Sequence, residues 1–355
     1  MKILHVITSL RTGGAEKLIV DLTPRLQGDG FQVDVALFDD ADTPFRRRLV
    51  DTGTYVIGLG HSPYSPVCLW RLARIMGRYD IVHTHNTSPQ LFAALAGLVH
   101  RRVRLVTTEH NTSNRRRAWK WYRHVDRWMY DRYDTVICIS AKARENLERY
   151  LGRTKAHVVL VNNGVDVSAF EHAAPNPDIR EGSHRFVAVM VAGFREQKDQ
   201  DTLIRAMSLL PEDGYEAWLV GDGVRREALE ALVARLGLGT RVRFFGVRSD
   251  VASILHTADA VVMSSHYEGL SLSSIEGMAA GKPFLASDVD GLHDITEGAG
   301  LLFPEGDAEA LAQALRHLNE HPAEARDVAK RCLERARNFD IGHMITAYEN
   351  IYKSF

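Results

Sequence analysis

Two doubly wound parallel α/β domains in tandem are the fold that this 355-residue sequence predicts, and three observations carry the prediction. Short apolar runs rich in Val and Ile alternate with helical patterns, which is the βαβ signature. The alternation breaks once, at a polar, Pro-containing stretch over 171–184, and then starts again. The length also exceeds the roughly 250–300 residues at which a single hydrophobic core stops growing.

In the first half the strands are expected at 2–7, 33–38, 55–59, 80–85, 104–108, 135–140 and 158–161, with helices at 15–27, 66–78, 90–99 and 141–151. The second half repeats the scheme. Its strands are expected at 186–192, 217–220, 242–245, 260–264, 283–286 and 301–303, and its helices at 200–209, 225–236, 272–280 and 308–318. Residues 1–172 and 173–338 are the two domains on this reading. In the remaining segment, 339–355, Met344, Tyr348 and Ile351 share one helical face, so it is expected to pack back on the first domain. Ligands of open α/β sheets bind beyond the strand C-termini, so the default active site is a cleft between the domains.

Hydrophobic residues are 45% and charged residues 25%, an ordinary globular balance. No run approaches the ~20 apolar residues of a membrane span, and the apolar start at 3–7 is too short for a secretory signal, so a cytoplasmic protein is expected. Cys68, Cys138 and Cys332 lack metal or redox spacing and read as core residues. The net charge of −1 conceals an asymmetry: residues 1–172 carry 25 Lys+Arg against 17 Asp+Glu, and residues 173–355 carry 19 against 28. A basic half suits an anionic partner such as a phosphorylated lipid or the inner face of the plasma membrane; equally, two oppositely charged domains attract each other. Residues 114–133 combine Arg115, Arg116, Arg117, Lys120, Arg123 and Arg127 with Trp119, Trp121, Tyr122 and Trp128, a pattern of an interfacial helix or of core packing. No nucleic-acid partner is expected.

The most informative stretch runs from Ser264 to Pro283. It follows an apolar strand, opens a helix and ends on Gly281-Lys282-Pro283, a stop signal. Gly269, Leu270 and Ser271 therefore offer free backbone N–H groups at a helix N-terminus, where a diphosphate is favoured by hydrogen bonding and by the helix dipole. Glu268 precedes the turn and Glu276 lies in the helix. Eight residues of helix rise about 12 Å, beyond the ~5 Å carboxylate pair of a double-displacement glycosidase, so the two have separate tasks. The plainer alternative is one exposed loop glutamate and one on a solvated helix face.

This block resembles the E-x7-E signature of the family 4 retaining glycosyltransferases, and the likeness extends along the chain. It takes in Thr12-Gly13-Gly14-Ala15-Glu16, Thr108-Glu109-His110-Asn111, Asn162-Asn163-Gly164-Val165-Asp166, Phe194 to Asp199, Gly221-Asp222-Gly223 and Gly300 to Pro304. The resemblance implies the GT-B architecture, two Rossmann-like domains facing each other across a cleft, and transfer of a hexose-type sugar from a UDP- or GDP-sugar to a glycan or lipid-linked acceptor. It implies that Glu268 sits against the transferred sugar, that Gly269, Leu270 and Ser271 bind sugar and phosphate, and that Glu276 holds the ribose. Lys198 matches the diphosphate lysine. Gly193 stands where the family has an arginine, so Arg195 is the substitute. His110 matches the donor-sugar histidine, Gly13 and Gly14 meet acceptor or donor phosphate, and Gly221 and Arg248 are placed in the donor site.

No Asp-x-Asp motif is apparent, and His83 and His85 have no accompanying carboxylate or thiol set, so neither metal nor cofactor is expected. Asp39 and Asp40 end the second strand where a dinucleotide ribose would be held, but G-x-G-x-x-G is missing, which argues against an oxidoreductase. The competing readings are a catalytically inactive nucleotide-sugar-binding or scaffold protein, and a sugar-nucleotide epimerase of the same architecture.

Overall fold

The computed structural model describes residues 1–11, 13–60, 62, 64–110 and 122–355. Thr12, Asn111 and the part of the basic, aromatic stretch from 114 to 121 lie outside the described residues. The chain forms two compact units, Met1–Gly164 with Ile341–Phe355, and Val165–Asp340.

In the first unit the strands are β1 (Lys2–Ile7), β2 (Gln32–Leu37), β3 (Val56–Gly58), β4 (Ile81–His85), β5 (Arg104–Glu109), β6 (Thr135–Cys138) and β7 (His157–Leu160), and its helices are α1 (Gly14–Gly28), α2 (Pro44–Asp51), α3 (Pro66–Met76), α4 (Thr87–Ala96), α5 (Tyr122–Tyr130) and α6 (Ala141–Leu151). All strands are parallel, in the order β3-β2-β1-β4-β5-β6-β7. The second unit contains α7 (Val167–Glu171), β8 (Phe186–Val191), α8 (Gln200–Ser208), β9 (Tyr215–Val220), α9 (Arg226–Arg235), β10 (Val242–Gly246), α10 (Val251–Thr257), β11 (Ala260–Met263), α11 (Leu272–Ala279), β12 (Phe284–Ser287), α12 (Leu292–Thr296), β13 (Leu301–Phe303), α13 (Ala308–Glu320) and α14 (Pro322–Arg337), and the chain then enters α15 (Ile341–Lys353). Its sheet order is β10-β9-β8-β11-β12-β13.

Both orders reverse direction once, and right-handed crossovers then put the helices before the reversal on one face and those after it on the other. Each sheet is left with a half-covered face. In the second unit α13 packs beside α8 and fills it. In the first unit the chain leaves after β7, and α15 fills the corresponding place: Met344, Ile345, Tyr348 and Tyr352 pack with α1 against Ile81, Val106 and Ile137. The opposite face is closed by α3, α4, α5 and α6.

Three histidines stand among these core positions. His5 on β1 is in register with His83 on β4, His85 follows two residues on, and all three are 0% exposed. Tyr352 Oη lies 2.6 Å from His83 Nδ1, Thr108 Oγ1 lies 2.8 Å from His83 Nε2, and Tyr348 Oη lies 3.2 Å from Thr108 Oγ1. The returning helix thus supplies polar partners as well as apolar cover. Burial holds His5 down to about 3 and pulls His83 and His85 well below the ordinary imidazole value.

Residues 165–172, assigned from sequence to the first domain, pack in the second unit. Val165 forms a parallel bridge with Asp340, its N–H donates to the Phe339 carbonyl at 2.9 Å, and Val165, Val167 and Phe170 enter the second core. The helix anticipated within 114–133 is present as α5, whereas α2, α7, α10, α12 and α14 were not anticipated. In α14 the buried positions are only Val328, Cys332 and Ala336 among charged residues, so its apolar stripe is faint. The three cysteines are buried and free. Among the described residues no helix is long and apolar enough to cross a membrane.

The loop after β9 is shaped by glycine. Gly221 has φ +136°, and a Cβ there would stand 2.0 Å from the Ala192 carbonyl oxygen; at Gly223 it would meet the Phe194 carbonyl at 2.5 Å. These contacts seat the β9–α9 loop on the segment that follows β8.

Four outcomes are expected. Tyr348→Ala should destabilise the first unit by about 3–5 kcal/mol and Tyr352→Phe by about 1 kcal/mol, measured by chemical denaturation followed in the first unit. Gly221→Ala should cost at least about 1–3 kcal/mol from its backbone angle of φ +136° alone, read from the second unit's transition. Between about pH 6.5 and pH 4 the unfolded chain binds protons that buried His5, His83 and His85 do not, so the first unit should lose up to about 1.4 kcal/mol per histidine per pH unit on acidification.

Candidate active site

In the second unit the strand order reverses between β8 and β11, and the loops leaving their C-terminal ends are 192–199 and 264–271. This is the position at which open α/β sheets take ligands. The Lys198 ammonium donates to Glu268 Oε1, and Ser265 Oγ donates to the same oxygen at 2.8 Å. The Glu268 side chain is 7% exposed and that of Lys198 is 19% exposed. The sheet thus joins two residues seventy positions apart in an ion pair with little solvent access.

Backbone and polar contacts hold the two loops together. The His266 N–H donates to the Gln197 carbonyl at 2.8 Å, Gln197 Nε2 donates to the Tyr267 carbonyl at 2.7 Å, and Ser264 Oγ donates to the Asp199 carbonyl at 2.6 Å. Asp199 sits at φ 47° and caps α8, accepting from the Thr202 hydroxyl at 2.5 Å. Burial raises its carboxyl above the ordinary range, opposed by the Thr202 hydrogen bonds. On the far side Gly291, at φ +82°, lies against the backbone of Glu268 and Gly269, where a Cβ would come within 2.5 Å of both carbonyl oxygens.

Gly269, Leu270 and Ser271 lead directly into α11, whose N-cap Ser271 makes no side-chain cap hydrogen bond. The first amides of this helix are therefore directed at whatever occupies the loop mouth. Glu276 lies within α11 at 5% exposure, so the plainer reading of a solvated helix face does not hold. Arg195 is exposed and, among the described residues, its side chain has no hydrogen-bond or ion-pair partner. A Cβ at Gly193 would meet only ordinary contacts, with Arg195 Nε and the Asp222 carbonyl oxygen each at 3.8 Å, so a side chain can begin there, where the family has an arginine. Gly221 directly follows β9, the strand next to β8. Arg248 follows β10, one strand further away, and is paired with Asp250 at 2.6 Å. A polar hollow lined by Arg180, Asp213 and Arg243 lies at the N-terminal ends of β8, β9 and β10 and includes none of these residues.

In the first unit the reversal falls between β1 and β4. Gly13 caps α1 in extended backbone and Gly14 begins the helix. His110 directly follows β5 and joins the buried histidines: its Nε2 lies 2.9 Å from His85 Nδ1, and His85 Nε2 lies 3.0 Å from His5 Nδ1. Burial lowers His110 to about 4, so its imidazole is neutral. The link from His110 to His85 and His5 escaped the sequence reading. Its visible sign was the period-two pair His83 and His85, whose strand register against His5 no single sequence shows. One nitrogen from each of His5, His83 and His85 lies within 4.8 Å of the others, a set able to ligate a metal, although five of the six ring nitrogens already have hydrogen-bond partners. Asp39 and Asp40 form ion pairs with Arg11 and Arg46.

Comparison with known proteins accords with this arrangement. Residues 12–169 match Glycosyltransferase Family 4, and residues 185–321 match Glycosyl transferases group 1. LpsD of Rhizobium meliloti, a lipopolysaccharide core biosynthesis glycosyltransferase, is 30% identical over 91% of this chain and 89% of its own. The Escherichia coli enzyme named UDP-Gal:alpha-D-GlcNAc-diphosphoundecaprenol alpha-1,3-galactosyltransferase is 24% identical over 99% of this chain and 96% of its own. The crystal structure of Anabaena HepE in complex with UDP-glucose superposes with a TM-score of 0.88 over the whole of both chains at 23% identity, a likeness of fold. The two Rossmann-like sheets are those of the GT-B architecture. The chain belongs to the family 4, group 1 glycosyltransferases.

Proposed function

We propose that this protein transfers a hexose-type sugar, with retention of configuration, from a UDP- or GDP-sugar to a glycan or lipid-linked acceptor in bacterial cell-surface polysaccharide synthesis. The observation that carries the proposal is the Lys198–Glu268 pair beside the uncapped N-terminus of α11. An ammonium and a row of amide donors converge there, which suits a diphosphate leaving group, and a carboxylate in the same place can accept from sugar hydroxyls. The names of relatives support both substrates: HepE was crystallised with UDP-glucose, and the Escherichia coli enzyme is named for UDP-Gal and a lipid diphosphate acceptor.

In this reaction the bond from the anomeric carbon to the β-phosphate oxygen breaks. The acceptor oxygen forms its bond to the same face of that carbon, and its proton passes to the leaving diphosphate. Lys198, Arg195 and the amides of Gly269, Leu270 and Ser271 stabilise the charge that grows on the phosphate. Glu268 orients the sugar, Glu276 receives the ribose hydroxyls, and Gly221 and Arg248 border the nucleotide. His110 is the first unit's contact with the donor sugar, while Gly13 and Gly14 meet acceptor or phosphate. Phosphate charge is met by these groups, so catalysis proceeds without a metal or cofactor. The protein acts in the cytoplasm, and the basic first unit suits the anionic inner face of the plasma membrane.

Release of nucleoside diphosphate from a panel of UDP-, GDP- and ADP-sugars, with a mixture of cell-envelope acceptors and with or without EDTA, tests the proposal. One UDP- or GDP-sugar should turn over, with product of retained configuration, and EDTA should have no effect. Lys198→Ala should lower kcat by ~10²–10³-fold, and Glu276→Ala should raise the donor KM by about 10–100-fold. Binding of a donor without turnover under any acceptor condition would favour the inactive-binder reading, and conversion of the donor to an epimer without sugar transfer would favour the epimerase.

A further inference from the structure

The buried histidine row has an unpaired end. His5 Nε2 is fully enclosed and has no hydrogen-bond partner. Its neighbour His83, with ring centroids 5.0 Å apart, cannot serve it, because both His83 nitrogens are engaged by Tyr352 and Thr108. From this end the row runs His5 Nδ1 to His85 Nε2 at 3.0 Å and His85 Nδ1 to His110 Nε2 at 2.9 Å. Among the described residues His110 Nδ1 makes no contact that would fix its proton.

We propose that His85 is a positioning residue, and that the relay from His5 through His85 places the single proton of His110 on Nδ1, making that nitrogen a hydrogen-bond donor to an oxygen of the donor sugar. The inference rests on the reading that His110 meets the donor sugar, but the direction of the relay follows from the histidines alone. Each neutral ring carries one N–H and one bare nitrogen, so the row has only two self-consistent arrangements. In one, His110 donates to His85 and His85 to His5, which leaves an N–H on His5 buried with no acceptor. In the other, His5 donates to His85 and His85 to His110, which leaves His5 with a bare lone pair. An orphaned buried N–H is rarer than an under-used acceptor, so the second arrangement prevails. Burial keeps the row neutral, so the arrangement persists through neutral pH. His110 is then the donor of a directed hydrogen bond and not a base.

Selective ¹⁵N-histidine labelling of the full chain and long-range ¹H–¹⁵N correlation spectra read the proton positions directly, with His110→Asn identifying the His110 signals. The wild type should show His110 protonated on Nδ1; protonation on Nε2 would overturn the proposal. His85→Phe removes the donor to His110, so the Nδ1 preference should disappear and kcat/KM for the sugar donor should fall about tenfold. His85→Asn keeps an amide N–H near the Nδ1 position and should restore both the proton position and most of the activity, whereas equal loss in the two variants would reduce His85 to packing. If His85→Phe does not fold, the wild-type and His85→Asn spectra still decide. One equivalent of transition metal in the purified protein, released in a His5→Phe variant, would show these nitrogens to be ligands and overturn the relay. Nδ1 protonation together with undiminished donor turnover in His110→Asn would uphold the relay and remove the donor-sugar role of His110 instead.

Discussion

A parallel sheet has no face that it can leave to water, and this constraint shapes both units. Strand orders that reverse once leave part of one face bare, because right-handed crossovers fix the side on which each helix falls. The second unit meets the deficit locally with α13, the helix that follows its last strand. The first unit meets it with α15, which comes from the other end of the chain. Tyr348 and Tyr352 give that distant helix hydroxyls where the sheet has Thr108 and His83, so apolar burial and polar satisfaction coincide at one surface.

The same reversals place the chemistry. Loops from two non-consecutive strands diverge at each reversal, and side chains remote in sequence meet there. In the second unit this yields Lys198 on Glu268, latched by Gln197 and His266 and bounded by Gly291, so the ammonium and carboxylate are positioned by a rigid frame. In the first unit it yields a row of neutral histidines reaching from β1 to the end of β5. Both clusters sit where side chains are shielded from water, which strengthens electrostatic interactions that bulk solvent would weaken.

Much of this was legible from the sequence. Parallel strands are buried on both faces and show as continuous apolar runs such as 186–191 and 260–263, so every strand was located to within two residues. The stretch from Ser264 to Pro283 disclosed a strand, a turn and a helix, and the ion pair then placed Glu268 with Lys198. Two kinds of information stayed hidden. One was the helix α14, whose buried Val328, Cys332 and Ala336 stand among many charged residues, together with helices too short to show a period, such as α7, α10 and α12. Register was the other: His5 and His83 are side by side only because β1 and β4 pair at that offset. The unit boundary fell at Gly164 and not at His172 because Val165 binds to Phe339 and Asp340, partners that local composition cannot announce.

The return of α15 has a consequence for synthesis. The first sheet is complete in its strands once β7 has been made, yet the last cover for Ile81, Val106 and Ile137 comes only from residues 341–353. Throughout translation of the whole second unit, the nascent first unit therefore keeps an apolar, histidine-lined surface without its own helix. Vectorial folding, domain by domain from the N-terminus, is thus not open to this chain in full. Its first domain reaches its native state last.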